Sequence, residues 1–93
     1  MEGLKNVLIT TQHRAVWFCQ VNESADLTQK TLTGLKNCRM AIYWGTEKGL
    51  QQLCKTGPTK SSKISDVADI SVLHDVTAVF DVTDQAAAVW MSY

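Results

Sequence analysis

The alternation of apolar and polar positions changes period along the chain, and each change marks an element. Residues 6–11 and 14–21 are rich in aliphatic and β-branched side chains; the second run sets Ala15, Trp17, Cys19 and Val21 against Val16, Phe18 and Gln20. Both runs predict strands, and the short polar link Thr11-Gln12-His13-Arg14 makes an antiparallel hairpin the economical connection. A polar turn cluster occupies 22–26. Beyond it, Thr28, Thr31 and Thr33 surround Leu32 in a half-exposed strand over 27–35, with Gly34 as a bulge. The run 39–44 predicts a further strand, with Met40, Ile42 and Trp44 on one face and Arg39, Ala41 and Tyr43 on the other.

The period then lengthens. Leu50, Leu53 and Cys54 recur at three and four residues, which predicts a helix over 46–56, capped by Thr46 and stopped by Gly57-Pro58. Residues 55–63 hold three lysines among Gly, Pro, Ser and Thr, the composition of a long mobile loop. A short strand over 70–73 precedes the clearest alternation, 75–83, in which Val76, Ala78, Phe80 and Val82 face inward and Val79 is out of step. Thr83 and Asp84 cap a closing helix over 84–91 that places Ala86 and Trp90 on a common face and seals the open side of the sheet. These elements predict a mainly β fold with two short helices: a small bent antiparallel sheet, or an SH3- or Sm-like barrel, with one inserted helix and a C-terminal helix. An open α+β sheet with both helices on one face is the alternative.

Composition narrows the setting. Ninety-three residues, 45% of them hydrophobic and 19% charged, with one proline, predict a single domain over 1–93. So short a chain buries only roughly 60–65% of its unfolded surface, so self-association is a natural supplement and a homo-oligomer is expected. Nine basic residues balance nine acidic ones. The broad attraction on which nucleic-acid and anionic-membrane binders rely is therefore missing, although a local basic patch would still serve. The start of the chain carries no basic leader, and no run reaches the roughly 18–20 apolar residues of a membrane span, so a soluble protein with no membrane partner is expected. Cys19, Cys38 and Cys54 are odd in number and widely spaced, with no C-x-x-C pair, which disfavours a disulfide framework or a zinc site and fits reduced thiols in a cytoplasm.

The candidate chemistry is that of binding. Arg39, Tyr43, Trp17 and Trp44 could form an aromatic and guanidinium platform that stacks a base or nucleotide, with core packing as the competing reading. Arg39 and Tyr43, opposite Trp44, are the pair for a surface site. Lys55, Lys60 and Lys63 could add phosphate contacts, although Thr59 rather than glycine precedes Lys60 and no strand-loop-helix context completes a Walker loop. His13 and the His74-Asp75 neighbours meet no nucleophile motif, and adjacent strand residues point to opposite faces, so no catalytic residue and no enzyme activity is expected. Asp66, Asp69, Asp75, Asp81 and Asp84 lie at no calcium-loop spacing, and neither metal nor cofactor is implied. These aspartates could instead meet the lysines of 55–63 on a neighbouring subunit.

Gly3-Leu4-Lys5-Asn6-Val7, the stretch Asn37-Cys38-Arg39 leading to Tyr43-Trp44, Thr56-Gly57-Pro58-Thr59 and His74-Asp75-Val76-Thr77 together resemble a family of short, uncharacterised proteins of tailed bacteriophages. That family carries an opening G-L-K-N-V, a central N-A-R-x-x-x-Y-W and a late D-V-T; Cys38 stands where alanine is usual. The resemblance covers nearly the whole chain. It implies context rather than activity, and no residue role comes with it. By analogy of class, it suggests a non-enzymatic phage accessory protein of host takeover or counter-defence in the host bacterial cytoplasm, binding a nucleotide-type signal or a host protein. An Sm-like nucleic-acid-binding protein and a structural virion component are the alternatives.

Overall fold

Val7, Leu8 and Ile9 are all fully buried, so the first strand, β1 (Leu4–Thr11), has no solvent-facing side over its centre. The structure, a computed structural model, describes residues 3–12, 15–44, 50–59 and 62–92. The remaining elements are β2 (Val16–Asn22), β3 (Leu32–Tyr43), α1 (Leu50–Lys55), β4 (Lys63–Ile64), β5 (Ala68–Leu73), β6 (Val76–Asp81) and α2 (Asp84–Met91). The fold is mainly β, as the periodicity predicts, with six antiparallel strands and two short helices among the described residues.

The pairings roll the sheet into a ring. β1 and β2 form the expected hairpin, from Leu4↔Asn22 to Thr10↔Val16. β3 lies on the far side of β2, and its outer edge takes β5 and then β4. The other edge of β1 takes β6, from Val7↔Asp81 to Thr11↔Val76. Because β5 and β6 are joined only by His74-Asp75, they form one chain run whose first half pairs with β3 and whose second half pairs with β1. At the changeover the backbone bonds both ways: Gln12 N–H donates to the Asp75 carbonyl at 2.9 Å, and Val76 N–H donates to the Lys30 carbonyl at 2.9 Å. The edges of the bent sheet are thus one strand, and the ring closes through the chain itself, with the stagger that small barrels require.

Three local departures from the simple alternation follow from bulges. The two strands read over 27–35 and 39–44 are one strand, and the slip in its pairing falls not at Gly34, across which Thr33↔Val72 and Leu35↔Ile70 stay in step, but between Leu35 and Cys38. Asn37 sits there at φ 50°, a left-handed conformation that asparagine tolerates better than most residues. Its N–H donates to Asp69 Oδ1 at 3.0 Å, its Nδ2 to Gln20 Oε1 at 2.6 Å, and Gln20 Nε2 in turn to Asn6 Oδ1 at 2.9 Å. In β6 the pairs Thr11↔Val76 and Thr10↔Ala78 leave Thr77 as an extra residue, so Val76 and Val79 both pack on the barrel interior while Phe80 and Val82 turn outward. Val79 is therefore in step with the core, and the expected inward set is split between two faces. A further slip between Ala41 and Tyr43 lets Trp44 pack on the same cluster as Ala41 rather than opposite it.

Two apolar layers result. Val7, Ile9, Cys19, Val21, Leu32, Leu35 and Cys38 fill the barrel. On the outer face, Leu8, Val16, Phe18 and Ala41 lie under Leu53, Cys54, Ala87 and Trp90 of the two helices. Trp90 stacks on Phe18 with ring centroids 5.5 Å apart, and its indole N–H donates to the Leu53 carbonyl at 3.1 Å. Thr83 joins the helices: its Oγ1 accepts from Ala86 N–H at 3.1 Å as the N-cap of α2 and donates to the Lys55 carbonyl at 2.7 Å, while its own N–H donates to the Cys54 carbonyl at 2.9 Å. The closing helix over 84–91, its threonine cap and the shared Ala86–Trp90 face are as predicted.

α1 ends as predicted at Gly57, whose φ of 85° excludes most side chains; an added Cβ would stand 2.7 Å from Val89 Cβ. Gly57 and Pro58 are buried, so the start of the 55–63 segment packs as part of the fold. The predicted helix start, with its Thr46 cap, lies outside the described residues. No helix among the described residues is long and apolar enough to cross a membrane.

Thr83→Ala removes one cap and one carbonyl partner together, and is expected to lower stability by about 2 kcal/mol in chemical denaturation. Thr83→Ser keeps the oxygen and is expected to retain most of that stability.

Candidate functional site

The segment between β2 and β3 is polar but held firmly. Asn22 Oδ1 accepts from the N–H and Oγ of Ser24, at 2.9 and 2.7 Å. Asp26 Oδ1 accepts from the N–H and hydroxyl of Thr28, and Asp26 Oδ2 accepts from Gln29 Nε2 at 3.1 Å. Two successive turns of this kind, each built by a short acceptor side chain on the residue two positions ahead, give the backbone its partners without a strand. Leu27, the half-buried apolar residue inside the second turn, packs on the interior cluster of the barrel. The strand expected from Leu27 therefore begins only at Leu32.

This segment stands beside β6 without pairing along it. A cleft of about 460 Å³ opens between residues 27–30 on one wall and Val76, Thr77, Ala78, Val79 and Asp81 on the other. A second cleft of about 290 Å³ continues past Lys30 to Gln12 and Asp75. The floor is the edge of the barrel core, because Leu27, Val76 and Val79 belong to the interior cluster. The rim is polar: Thr28, Gln29, Lys30 and Thr77, with Thr77 Oγ1 2.8 Å from Thr10 Oγ1. Asp81 is paired with Lys5 at 3.3 Å, whereas the Lys30 side chain has no ion pair or hydrogen bond among the described residues. Concave apolar floor and sparse polar rim are the features of a binding site.

The residues singled out in the sequence are placed differently. Trp17 packs on the barrel interior and Trp44 on the helix-covered layer, so the two tryptophans do not share a surface. Arg39 is buried at 7% exposure; its Nε donates to the Ser65 carbonyl at 3.1 Å and its Nη1 to the Trp90 carbonyl at 2.9 Å. The guanidinium thus caps the C-terminal end of α2, which has no basic residue in its own last turn. Trp17, Trp44 and Arg39 are thus not brought together, because the slip between Ala41 and Tyr43 divides the two tryptophans and helix capping takes the cation. The Tyr43 side chain and Lys60 lie outside the described residues; Lys55 and Lys63 are exposed, and Lys63 stands opposite Tyr43 in the β3–β4 pair.

His74 Nδ1 lies 3.2 Å from Thr31 Oγ1, and His13 is outside the described residues. Asp69 pairs with Lys36 at 3.6 Å and Asp81 with Lys5, so two of the aspartates considered for subunit contacts have lysine partners within the chain. All three cysteines are free and buried. Cys19 and Cys38 meet across β2 and β3; their shared hydrogen bond, reinforced by burial, pushes the Cys19 thiol up, and the same bond draws Cys38 down against burial. Burial raises Cys54. No group of three or more metal-ligating side chains occurs among the described residues.

Periodicity does not mark the cleft, because its wall is irregular. The signal was nonetheless there in the spacings Asn22-x-Ser24 and Asp26-x-Thr28, which are turn chemistry rather than strand.

The bonds from Thr28 and Gln29 lower the Asp26 carboxyl from 3.8 to about 2. A depressed folded value means that the stabilisation is present above the ordinary aspartate range and is lost as pH falls from about 4 through about 2. Carboxyl-carbon NMR of Asp26 should give a midpoint near 2, with the Thr28 amide moving in parallel; a midpoint in the ordinary range would show the turn to be open. Separately, Arg39→Ala leaves one buried and one part-buried carbonyl without their charged donor and should cost about 3 kcal/mol in denaturation, with Arg39→Lys a partial rescue because a single ammonium lacks the planar fork.

No curated protein and no solved structure matches the chain. A family match, however, runs over residues 4–90, from the first residue of β1 to the tryptophan that α2 lays on the sheet. The chain belongs to the family described as Domain of unknown function (DUF6948).

Proposed function

We propose that this chain is a non-enzymatic binding protein, a bacteriophage accessory protein of host takeover or counter-defence, which holds a host protein at the cleft beside β6 in the bacterial cytoplasm. The observation that carries the reading is that cleft: barrel-core side chains of Leu27, Val76 and Val79 reach a concave surface walled by a segment that two side-chain-built turns keep in place. A preorganised wall lowers the ordering cost of binding. The phage setting rests on the resemblance of the Gly3–Val7, Asn37–Trp44 and Asp75–Thr77 motifs.

A protein partner is favoured over a nucleotide-type ligand by the state of Arg39. The cation that would stack or clamp a nucleotide donates instead to the Ser65 and Trp90 carbonyls. Among the described residues the cleft itself offers one cation without an ion pair, Lys30, and an apolar floor, which suits a polypeptide better than a phosphate-rich ligand.

The test is site-specific photo-cross-linking in bacterial cells, with the reactive group at Thr77 in the cleft and, as a control, at Lys63 on the other side of the ring. A host polypeptide adduct obtained at Thr77 and not at Lys63 is expected. Thermal-shift measurement against cyclic and linear nucleotides should show no stabilisation; a clear shift, or adducts at Lys63 alone, would overturn the assignment.

A further inference from the structure

We infer that the occupant of the cleft is an extended segment of a partner protein that adds to β6 as one more strand, with apolar side chains at alternate positions and an acidic group beside Lys30. The inference rests on the reading of the cleft as the binding site and goes further, by naming the form and chemistry of what enters.

The backbone of β6 supplies the first reason. β1 occupies one edge of β6, and Val82 N–H donates to the Asn6 carbonyl at 3.3 Å just beyond it. Hydrogen-bonded and non-bonded pairs alternate along an antiparallel ladder. With Asn6 and Val82 bonded, Phe80 and Ala78 face β1, and Val79 and Asp81 direct their N–H and C=O groups away from it. On that outer side the Val76-to-Lys30 bond is the one backbone bond among the described residues. Beyond Val76 the edge is open, and the opening is the cleft. From Thr77 to Asp81 the edge runs five residues, roughly 16 Å, enough for a short strand.

Side-chain parity supplies the second. Val76 and Val79 pack on the barrel interior and Leu27 does so from the opposite wall. A strand laid between the walls would therefore turn every second side chain onto these three and the intervening ones to water. This is strand addition, in which main-chain bonds give affinity and alternate side chains give selectivity.

Charge supplies the third. Lys30 stands at the narrow end of the cleft, where its carbonyl closes the seam by accepting from Val76, and its ammonium has no ion pair among the described residues; Asp75 shares that end but lies beyond ion-pair distance. At the wide end, Asp81 is already matched by Lys5. The Lys30 ammonium, with no ion pair among the described residues, is the cation at that end open to an acidic side chain or a terminal carboxylate, and the Asp75 carboxylate, likewise without an ion pair, sets the side from which such a group approaches. A second folded copy does not fit as well, because the β6 edge that it would present carries its own wall of residues 27–30.

The experiment is selection of a displayed random octapeptide library on the immobilised full chain, followed by synthesis of the strongest binder and of its single N-methylated versions. N-methylation removes one backbone donor without altering the protein. Selected peptides should alternate apolar and polar residues and carry an acid, and their amide footprint in NMR titration should fall on Val79, Asp81 and residues 27–30. N-methylation should weaken binding about tenfold at every second residue and little between them. Lys30→Glu, at an exposed position, should reverse the preference from acidic to basic peptides. Uniform sensitivity to N-methylation, a footprint elsewhere, or a concentration-dependent dimer that blocks the cleft would overturn the inference. If selection yields no such peptide while the Thr77 adduct persists, strand addition fails and the cleft remains the site; if the adduct is also lost, the proposed function fails with it.

Discussion

The burial of β1 on both faces is the constraint from which the rest of the architecture follows. Val7 and Ile9 point one way and Leu8 the other, and all three are removed from water. A strand of this kind needs two covers, one for each face, and a 93-residue chain has few elements from which to make them. The sheet supplies the inner cover by rolling until its own strands face Val7 and Ile9. The helices supply the outer cover, with Trp90 stacked on Phe18 beside Leu8. Arg39 and Thr83 then satisfy polar groups at the ends of this second layer: the buried Trp90 carbonyl at one end of α2, the part-buried Ala86 amide at the other, and the last carbonyls of α1.

Rolling the sheet has its own consequence. One chain run, β5 continued by β6, serves as the outer neighbour of β3 and then of β1, and a strand that changes partner leaves each edge bare where the old partner ends and the new one has yet to begin. The cleft lies on one such stretch. Its far wall is not a strand, since Asn22 and Asp26 bond the backbone of their own segment and so offer it an alternative to pairing with β6. Closure of the barrel and openness of the binding site are thus two results of the same connectivity. Open edges are ordinarily a hazard for self-pairing, and here the rim of Thr28, Gln29, Lys30 and Asp81 moderates it.

The polar side chains between strands mark where the outer cover ends. Asn6, Gln20 and Asn37 form a hydrogen-bonded chain across three strands that continues to Asp69 on β5. Asn37 has a double role, since its left-handed backbone makes the bulge in β3 and its side chain joins that chain. The Asp69 carboxylate is held below its ordinary range first by the Asn37 N–H, and also by Lys36.

The sequence by itself determined the mainly β class, the first hairpin, the threonine-capped closing helix and the stop at Gly57, because each depends on neighbours within a few residues. Period, capping and turn chemistry are local, and local chemistry is written in order. It also determined that aromatic and cationic side chains would matter, without saying for what. Which face of the sheet each one meets was decided by bulges at Asn37 and Thr77, where a single extra residue reverses the alternation for everything beyond it. The slip between Ala41 and Tyr43 separates Trp44 from Trp17, and the extra residue at Thr77 puts Val79 in the core. Arg39 was legible as a charge in a β-rich run, but its partners, Ser65 and Trp90, lie 26 and 51 residues away, and only the tertiary fold brings those carbonyls to it. The cleft is a tertiary decision in the same sense: its two walls are distant in sequence and adjacent only because the ring closes through His74-Asp75. Site residues in this chain are set by which edges the closure leaves open, and periodicity within one strand contains no information about its neighbour.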